Sequence, residues 1–168
     1  RPQVLSVDSG RVAGYDPASG EVLWSHEWPG RVAADRNVSQ PVPVPPNRVF
    51  VSKGYGQGAA LLELSTGDEG MEVTELWHFP RVLRTKFTNV VIHEGYVYGL
   101  SDGILECVEL ATGERAWKKG RYHHGQILRV GDHLLVLTES GEMVLSNLSP
   151  EGHEVLGRFQ AIEGKTWN

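Results

Sequence analysis

Short apolar runs bounded by turn residues recur along the chain, among them Val4-Leu5-Ser6-Val7, Arg48-Val49-Phe50-Val51-Ser52, Tyr96-Val97-Tyr98 and Leu134-Leu135-Val136-Leu137. Runs of this length, rich in branched and aromatic residues, predict β-strands. Ala59-Ala60-Leu61-Leu62-Glu63-Leu64 would also suit a helix by period. Its bracketing glycines, Gly58 and Gly67, leave too little room for a helix of typical length, about 11 residues, and a strand is expected. Because the runs are continuous rather than strictly alternating, their sheets are expected to be covered on both faces.

The turn residues between the runs repeat in order. Asp8-Ser9-Gly10 is followed after ten residues by Gly20 and after four more by Trp24; Ser101-Asp102-Gly103 leads in the same steps to Gly113 and Trp117. A further unit runs from Gly58 to Gly67 and reaches Trp77 only after an excursion through Asp68-Glu69-Gly70-Met71-Glu72-Val73. The last runs from Glu139-Ser140-Gly141 to Gly152, with Leu156 where the tryptophan is expected. Gly20, Gly67, Gly113 and Gly152 are spaced by 47, 46 and 39 residues. That bracket is the period of a propeller blade, about 40–50 residues. The expected fold is all-β: a β-propeller segment of about four blades, each a four-stranded antiparallel sheet. The units fall at approximately 1–30, 38–80, 87–121 and 124–163, in a single domain over 1–168.

Tyr15-Asp16-Pro17-Ala18-Ser19-Gly20-Glu21-Val22-Leu23-Trp24 supplies the chemistry of one such turn. Pro17 pre-sets φ, the Asp16 carboxylate can accept backbone N–H groups ahead of it, and Gly20 can take the left-handed conformation that closes a hairpin with a bulge. The turn then fixes where Trp24 emerges. A tryptophan at that fixed distance can lie over a neighbouring blade and bury about 200 Å². Trp24, Trp77 and Trp117, with Gly20, Gly67, Gly113 and Gly152, are therefore the expected structural docking residues.

Asp16 to Trp24 and Ala111-Thr112-Gly113-Glu114-Arg115-Ala116-Trp117 resemble the tryptophan-docking signature of β-propellers built from pyrroloquinoline-quinone-like repeats. Ser65-Thr66-Gly67 begins the same pattern and delays its tryptophan, and Ser149-Pro150-Glu151-Gly152 lacks one. The resemblance implies a disc of seven or eight blades, an exported or periplasmic bacterial setting, and one of two roles. Quinoprotein dehydrogenases of the family need an adjacent cysteine pair, a stacking tryptophan, calcium-binding carboxylates and an aspartate base. The family's non-catalytic members include outer-membrane protein assembly propellers. Cys107 is the only cysteine, so the pair is missing, and no cofactor, catalytic residue or metal ligand is assigned. A dehydrogenase module with its ligands outside this chain is the alternative reading.

Charge narrows the partners. Sixteen basic against 21 acidic residues give a net charge of −5, which argues against a general grip on nucleic acid. No apolar run approaches the roughly 20 residues of a membrane-spanning helix. The chain opens on Arg1 without a signal-peptide pattern, which reads as a mature or excised segment.

Five stretches compete for chemistry. In Lys118-Lys119-Gly120-Arg121-Tyr122-His123-His124 adjacent imidazoles on a strand point to opposite faces, so a basic outer strand with its exit loop is expected instead of a metal site. Arg81, Arg84 and Lys86 occupy the corresponding region of the preceding unit, where they are expected to be solvated or to line one rim facing an anionic partner. Gln40-Pro41-Val42-Pro43-Val44-Pro45-Pro46 reads as an inner edge strand and its turn rather than a polyproline ligand. Gly54-Tyr55-Gly56-Gln57-Gly58 has no helix after it to hold phosphate and is expected to be a wide turn. Asn37-Val38-Ser39 fits a glycosylation sequon, a pattern short enough to occur by chance.

Val4-Leu5-Ser6-Val7 aligns with the second strand of later units, so the first blade is expected to lack its inner strand. Lys165-Thr166-Trp167-Asn168 echoes Lys86-Phe87-Thr88-Asn89, the approach to an inner strand. An open arc of a larger disc is expected, with self-association through its exposed blade faces; a closed four-bladed ring is the alternative. The function expected is a non-catalytic scaffold for a protein partner.

Overall fold

The computed structural model describes residues 1–29, 38–68 and 70–166. Asn37 of the sequon, Trp167 and Asn168 of the terminal echo, residue 30 of the first unit and Glu69 of the excursion lie outside the described residues.

Fifteen strands form four antiparallel sheets among the described residues, each sheet contiguous in sequence. The first holds β1 (Val4–Val7), β2 (Arg11–Tyr15) and β3 (Val22–Glu27). The second holds β4 (Val42–Val44), β5 (Arg48–Lys53), β6 (Gly58–Gly67) and β7 (Gly70–Phe79). The third holds β8 (Val91–His93), β9 (Tyr96–Ser101), β10 (Ile104–Glu109) and β11 (Arg115–Arg121). The fourth holds β12 (Gln126–Val130), β13 (His133–Leu137), β14 (Glu142–Asn147) and β15 (Val155–Gln160). These are meanders of propeller type, and the first has three strands, so its inner strand is absent from the sheet. The run 59–64 lies in β6, and the proline-rich run gives edge strand β4 and its turn. No helix among the described residues is long and apolar enough to cross a membrane.

Period-2 alternation explains why the apolar runs are continuous. In β5, Val49 and Val51 join the cluster shared with the first sheet, while Phe50 points the other way into the cluster shared with the third. Ala60 and Leu62 of β6 divide from Ala59 and Leu61 in the same manner. A third cluster, around Tyr98, Leu105, Cys107, Trp117, Leu134, Val136 and Val144, fills the junction of the third and fourth sheets. The three clusters seal three junctions, and none joins the fourth sheet to the first among the described residues. The described chain is an open arc.

Alternating strand direction gathers the segments linking successive sheets at the same end as the β5–β6, β9–β10 and β13–β14 turns. We call this end the loop face. Gly54 to Gly58 is a wide turn on it, with Tyr55, Gly56 and Gly58 at positive φ.

Candidate functional site

The turns before β3 and β11 are wired alike. Asp16 N–H donates to Glu21 O at 2.9 Å and Gly20 N–H to Asp16 O at 2.9 Å; Glu109 N–H donates to Glu114 O at 2.8 Å and Gly113 N–H to Glu109 O at 2.9 Å. Gly20 and Gly113 take φ of 76° and 74°. The Asp16 carboxylate accepts from Ala18 and Ser19 N–H, and these bonds hold its pKa below the usual carboxylate range. Thr112 hydroxyl and Ser19 hydroxyl each accept the N–H two residues on.

A bulge follows each turn and sets the tryptophan's register. Trp24 pairs with Gly14, Trp77 with Leu61 and Trp117 with Cys107, each on the turn-distal side of a register shift. All three are buried. Trp77 Nε1 donates to Leu110 O at 3.0 Å and Trp117 Nε1 to Ser149 O at 2.9 Å, so each reaches the following sheet. The Trp77 and Phe79 rings stack on one another and lie against Gly113: a Cβ there would meet Phe79 Cδ2 at 2.7 Å and Trp77 Cδ2 at 2.9 Å. Trp24 behaves differently, donating to Gln3 Oε1 at 2.6 Å, and Gln3 Nε2 lies 3.4 Å from Met71 Sδ on the second sheet. The corresponding carbonyl of that sheet, Leu64 O, accepts from Asn47 Nδ2 instead, and Leu64 is paired with Val73 inside a long hairpin.

Three expectations need correction. Gly67 borders its turn but does not take the left-handed position of Gly20 and Gly113: the excursion after it forms extra rungs, and Gly67 pairs with Gly70 at the end of the hairpin, so β6 and β7 run to ten residues each. Gly152 is likewise absent from the residues with positive φ. Leu156 does not replace the fourth tryptophan. Gly157 pairs with Leu145 at that register position, and Leu156 is the bulged residue, 47% exposed. Counting residues from a glycine fails when the turn differs, because the bulge defines the position.

Trp28 and His153 carried no spacing signal. Trp28 is fully buried in the cluster between the first two sheets and lies 5.0 Å from the His78 ring. His153 stacks on Trp117 at 5.6 Å and its Nε2 lies 2.6 Å from the Tyr122 hydroxyl. Burial, then the neighbouring Lys119 and Arg158 charges, lower the His153 pKa.

On the loop face several basic side chains are tied to buried or half-buried acceptors, while Arg81 is exposed. Glu106, fully buried, accepts from Leu83 N–H at 2.8 Å and pairs with Arg115 Nε, while Lys118 Nζ lies 3.8 Å away. Lys118 also donates to Ser101 Oγ at 2.8 Å; desolvation lowers its pKa, partly opposed by Glu106. Arg84 and Lys86 both pair with Asp102, at 2.8 and 3.4 Å, and Arg115 Nη2 donates to Arg81 O. Below them Thr85 Oγ1 meets Ser39 and Ser52 hydroxyls at 2.5 and 2.7 Å. The stretch 81–86 is thus a brace between the second and third sheets: Arg84 and Lys86 are paired with Asp102 rather than solvated, and Arg81 is exposed as expected. In the second basic stretch Tyr122 is buried, His123 is exposed at φ 56°, and His124 packs edge-on against Phe87.

The donor set for a quinone cofactor does not assemble. Cys107 is alone and fully buried, with burial pushing its pKa up to about 11, and Trp24, Trp28, Trp77 and Trp117 are enclosed in sheet junctions. Among the described residues no three His, Cys, Asp or Glu side chains come together as metal ligands.

No curated protein matches the chain in sequence. Its fold is similar to solved structures. BamB from Moraxella catarrhalis superposes with a TM-score of 0.73 at 19% identity, covering 94% of this chain and 45% of that one. The computationally designed Ika8 protein gives 0.66 at 12% identity, covering 98% and 48%. The N-terminal domain of Nup159 gives 0.60 at 13% identity, covering 96% and 42%. This chain therefore spans less than half the length of each of these solved chains. The family model of outer membrane protein assembly factor BamB matches residues 2–119, a stretch containing Trp24, Trp77 and Trp117 and the two like-wired turns. By that match the chain belongs to the family of the outer membrane protein assembly factor BamB.

Proposed function

We propose that the chain is a non-catalytic scaffold of an exported, periplasmic protein, and that its loop face holds a protein partner in outer membrane protein assembly. The observation that carries this reading is the bracing of the loop face. Glu106, Ser101 and Asp102 fix the link 81–86 against the third sheet, and its Thr85 hydroxyl ties it to Ser52 of the second. Side chains on such a face, His123 and Ser140 among them, are presented with little freedom left to lose on binding. The family supplies the setting: its description names assembly of outer membrane proteins. We assign Trp24, Trp77 and Trp117 to holding the sheets that carry the loops.

Site-specific photocrosslinking in cells tests the reading. Crosslinkers replacing His123 and Ser140 are expected to capture a discrete protein, whereas crosslinkers at Glu94 and Asp132, in the turns at the opposite end, are expected to capture none. Equal capture from both ends, or capture from the opposite end alone, overturns the assignment of the loop face.

A further inference from the structure

The long hairpin of the second sheet has no counterpart in the other three. Its outer strand β7 has ten residues where β3, β11 and β15 have six, seven and six, and the added length is the run of rungs from Leu64–Val73 to Gly67–Gly70. β7 is also the edge of its sheet. An antiparallel edge strand turns alternate N–H and C=O groups outward, and among the described residues no hydrogen bond from another element reaches the backbone of Met71–Glu75. The residues that commonly blunt an edge are missing here: β7 holds no lysine and no proline, whereas β11 carries Lys118, Lys119 and Arg121.

The same hairpin is acidic on both strands. Between residues 63 and 75 stand Glu63, Asp68, Glu69, Glu72 and Glu75, with no lysine, arginine or histidine. Glu63 is paired with Arg48 and Glu75 with His26. Asp68 and Glu72 are exposed and meet no cation among the described residues. We propose that β7 is a docking edge for a basic, extended protein segment, which adds to the second sheet as a fifth strand beside Met71–Glu75 and sets its lysine or arginine side chains against Glu72 and Asp68.

The open backbone supplies the pairing, and the carboxylates select the partner. An acidic or neutral segment could form the same ladder but would leave both charges unanswered, and β7 of a second copy would set Glu72 against like charge. This edge is separate from the loop face, and filling it neither needs nor excludes a partner there.

Fluorescence anisotropy on the whole chain, at concentrations where it is monomeric, tests the proposal with a labelled short peptide that alternates lysine and valine. The lysine peptide is expected to bind roughly tenfold more tightly than the same peptide with glutamate for lysine. N-methylation of the lysine peptide at alternate residues keeps its charge but removes the N–H groups of one edge, and is expected to abolish binding. Glu72→Lys, at an exposed position, is expected to weaken the lysine peptide roughly tenfold while its thermal melt matches the parent's. Absence of binding, equal binding of the N-methylated peptide, or binding untouched by E72K overturns the proposal. Self-association of the parent that E72K abolishes also overturns it, since the basic strand β11 of a second copy would then be the occupant.

Discussion

Trp117 touches the fourth sheet twice, through its N–H on Ser149 O and through the His153 ring stacked upon it. Removing it empties a cavity in the junction and leaves that carbonyl without its indole donor. Trp117→Ala is expected to cost about 3–5 kcal/mol, read as a fall in the denaturant midpoint, and Trp117→Phe about 1 kcal/mol for the lost hydrogen bond. An unchanged midpoint for Trp117→Ala would show that the indole does not hold the junction. His153 adds a pH dependence. Its folded pKa is lowered by burial and by Lys119 and Arg158, so the unfolded chain binds the proton more readily. The resulting stabilisation is present above the ordinary histidine value near 6.5 and is lost as pH falls below it. Denaturant midpoints are expected to drop between pH 7.5 and 5, and the drop to shrink in His153→Phe; an identical drop in both chains would assign it to other groups. Trp24 and Trp117 could be read from spacing because a turn and a bulge place each of them locally, whereas Trp77 keeps the bulge and loses the spacing to a longer hairpin. Trp28 and His153 could not, since their neighbours Val49 and Trp117 come from other sheets.

At the scale of elements, strands and turns were legible because period and turn chemistry act within a few residues. The second hairpin shows the limit. Its extra residues read as an interruption, yet they pair rung for rung from Leu64–Val73 to Gly67–Gly70 and leave Trp77 in register. An insertion in even pairs lengthens a hairpin without turning either strand over. The link 81–86 was misread in part for a different reason: Arg84 and Lys86 looked solvated because their partner, Asp102, and the acceptor of the Leu83 N–H, Glu106, lie in the next sheet. Glu106 is the centre of that brace, fully buried and shared by a backbone N–H and two cations. Glu106→Ala strands the Leu83 N–H and the Lys118 charge, and is expected to cost about 3–5 kcal/mol, as when one partner of a buried ion pair is removed. Amide hydrogen exchange is expected to accelerate first in 81–86. Stability within about 0.5 kcal/mol of the parent would mean that the link is held by Leu83 and the threonines alone.

At the scale of the whole molecule, the described residues form an arc whose two end faces are unequal. On the fourth sheet the face turned away from the third carries Leu128, Leu135 and Leu145 in one paired row and Leu137, Met143 and Phe159 in another. Leu128 and Phe159 are 62% and 64% exposed. The corresponding outer face of the first sheet offers Val4, Tyr15 and Val22 in a row, beside Ser6 and Ser25. A contiguous apolar face of several hundred Å² on a chain in water favours contact with another such face. The isolated chain is therefore expected to self-associate with rising concentration, which a closed four-bladed ring would not do. Because the contact is apolar, the double variant Leu128→Lys, Phe159→Lys is expected to weaken association about tenfold or more, two buried aromatic or aliphatic side chains being exchanged for charges. Both side chains are already exposed, so the melting temperature measured at low concentration should stay close to the parent's. Sedimentation velocity across a concentration series reads the difference: a parent chain that remains monomeric throughout, or a double variant that associates as strongly as the parent, removes the fourth-sheet face as the contact.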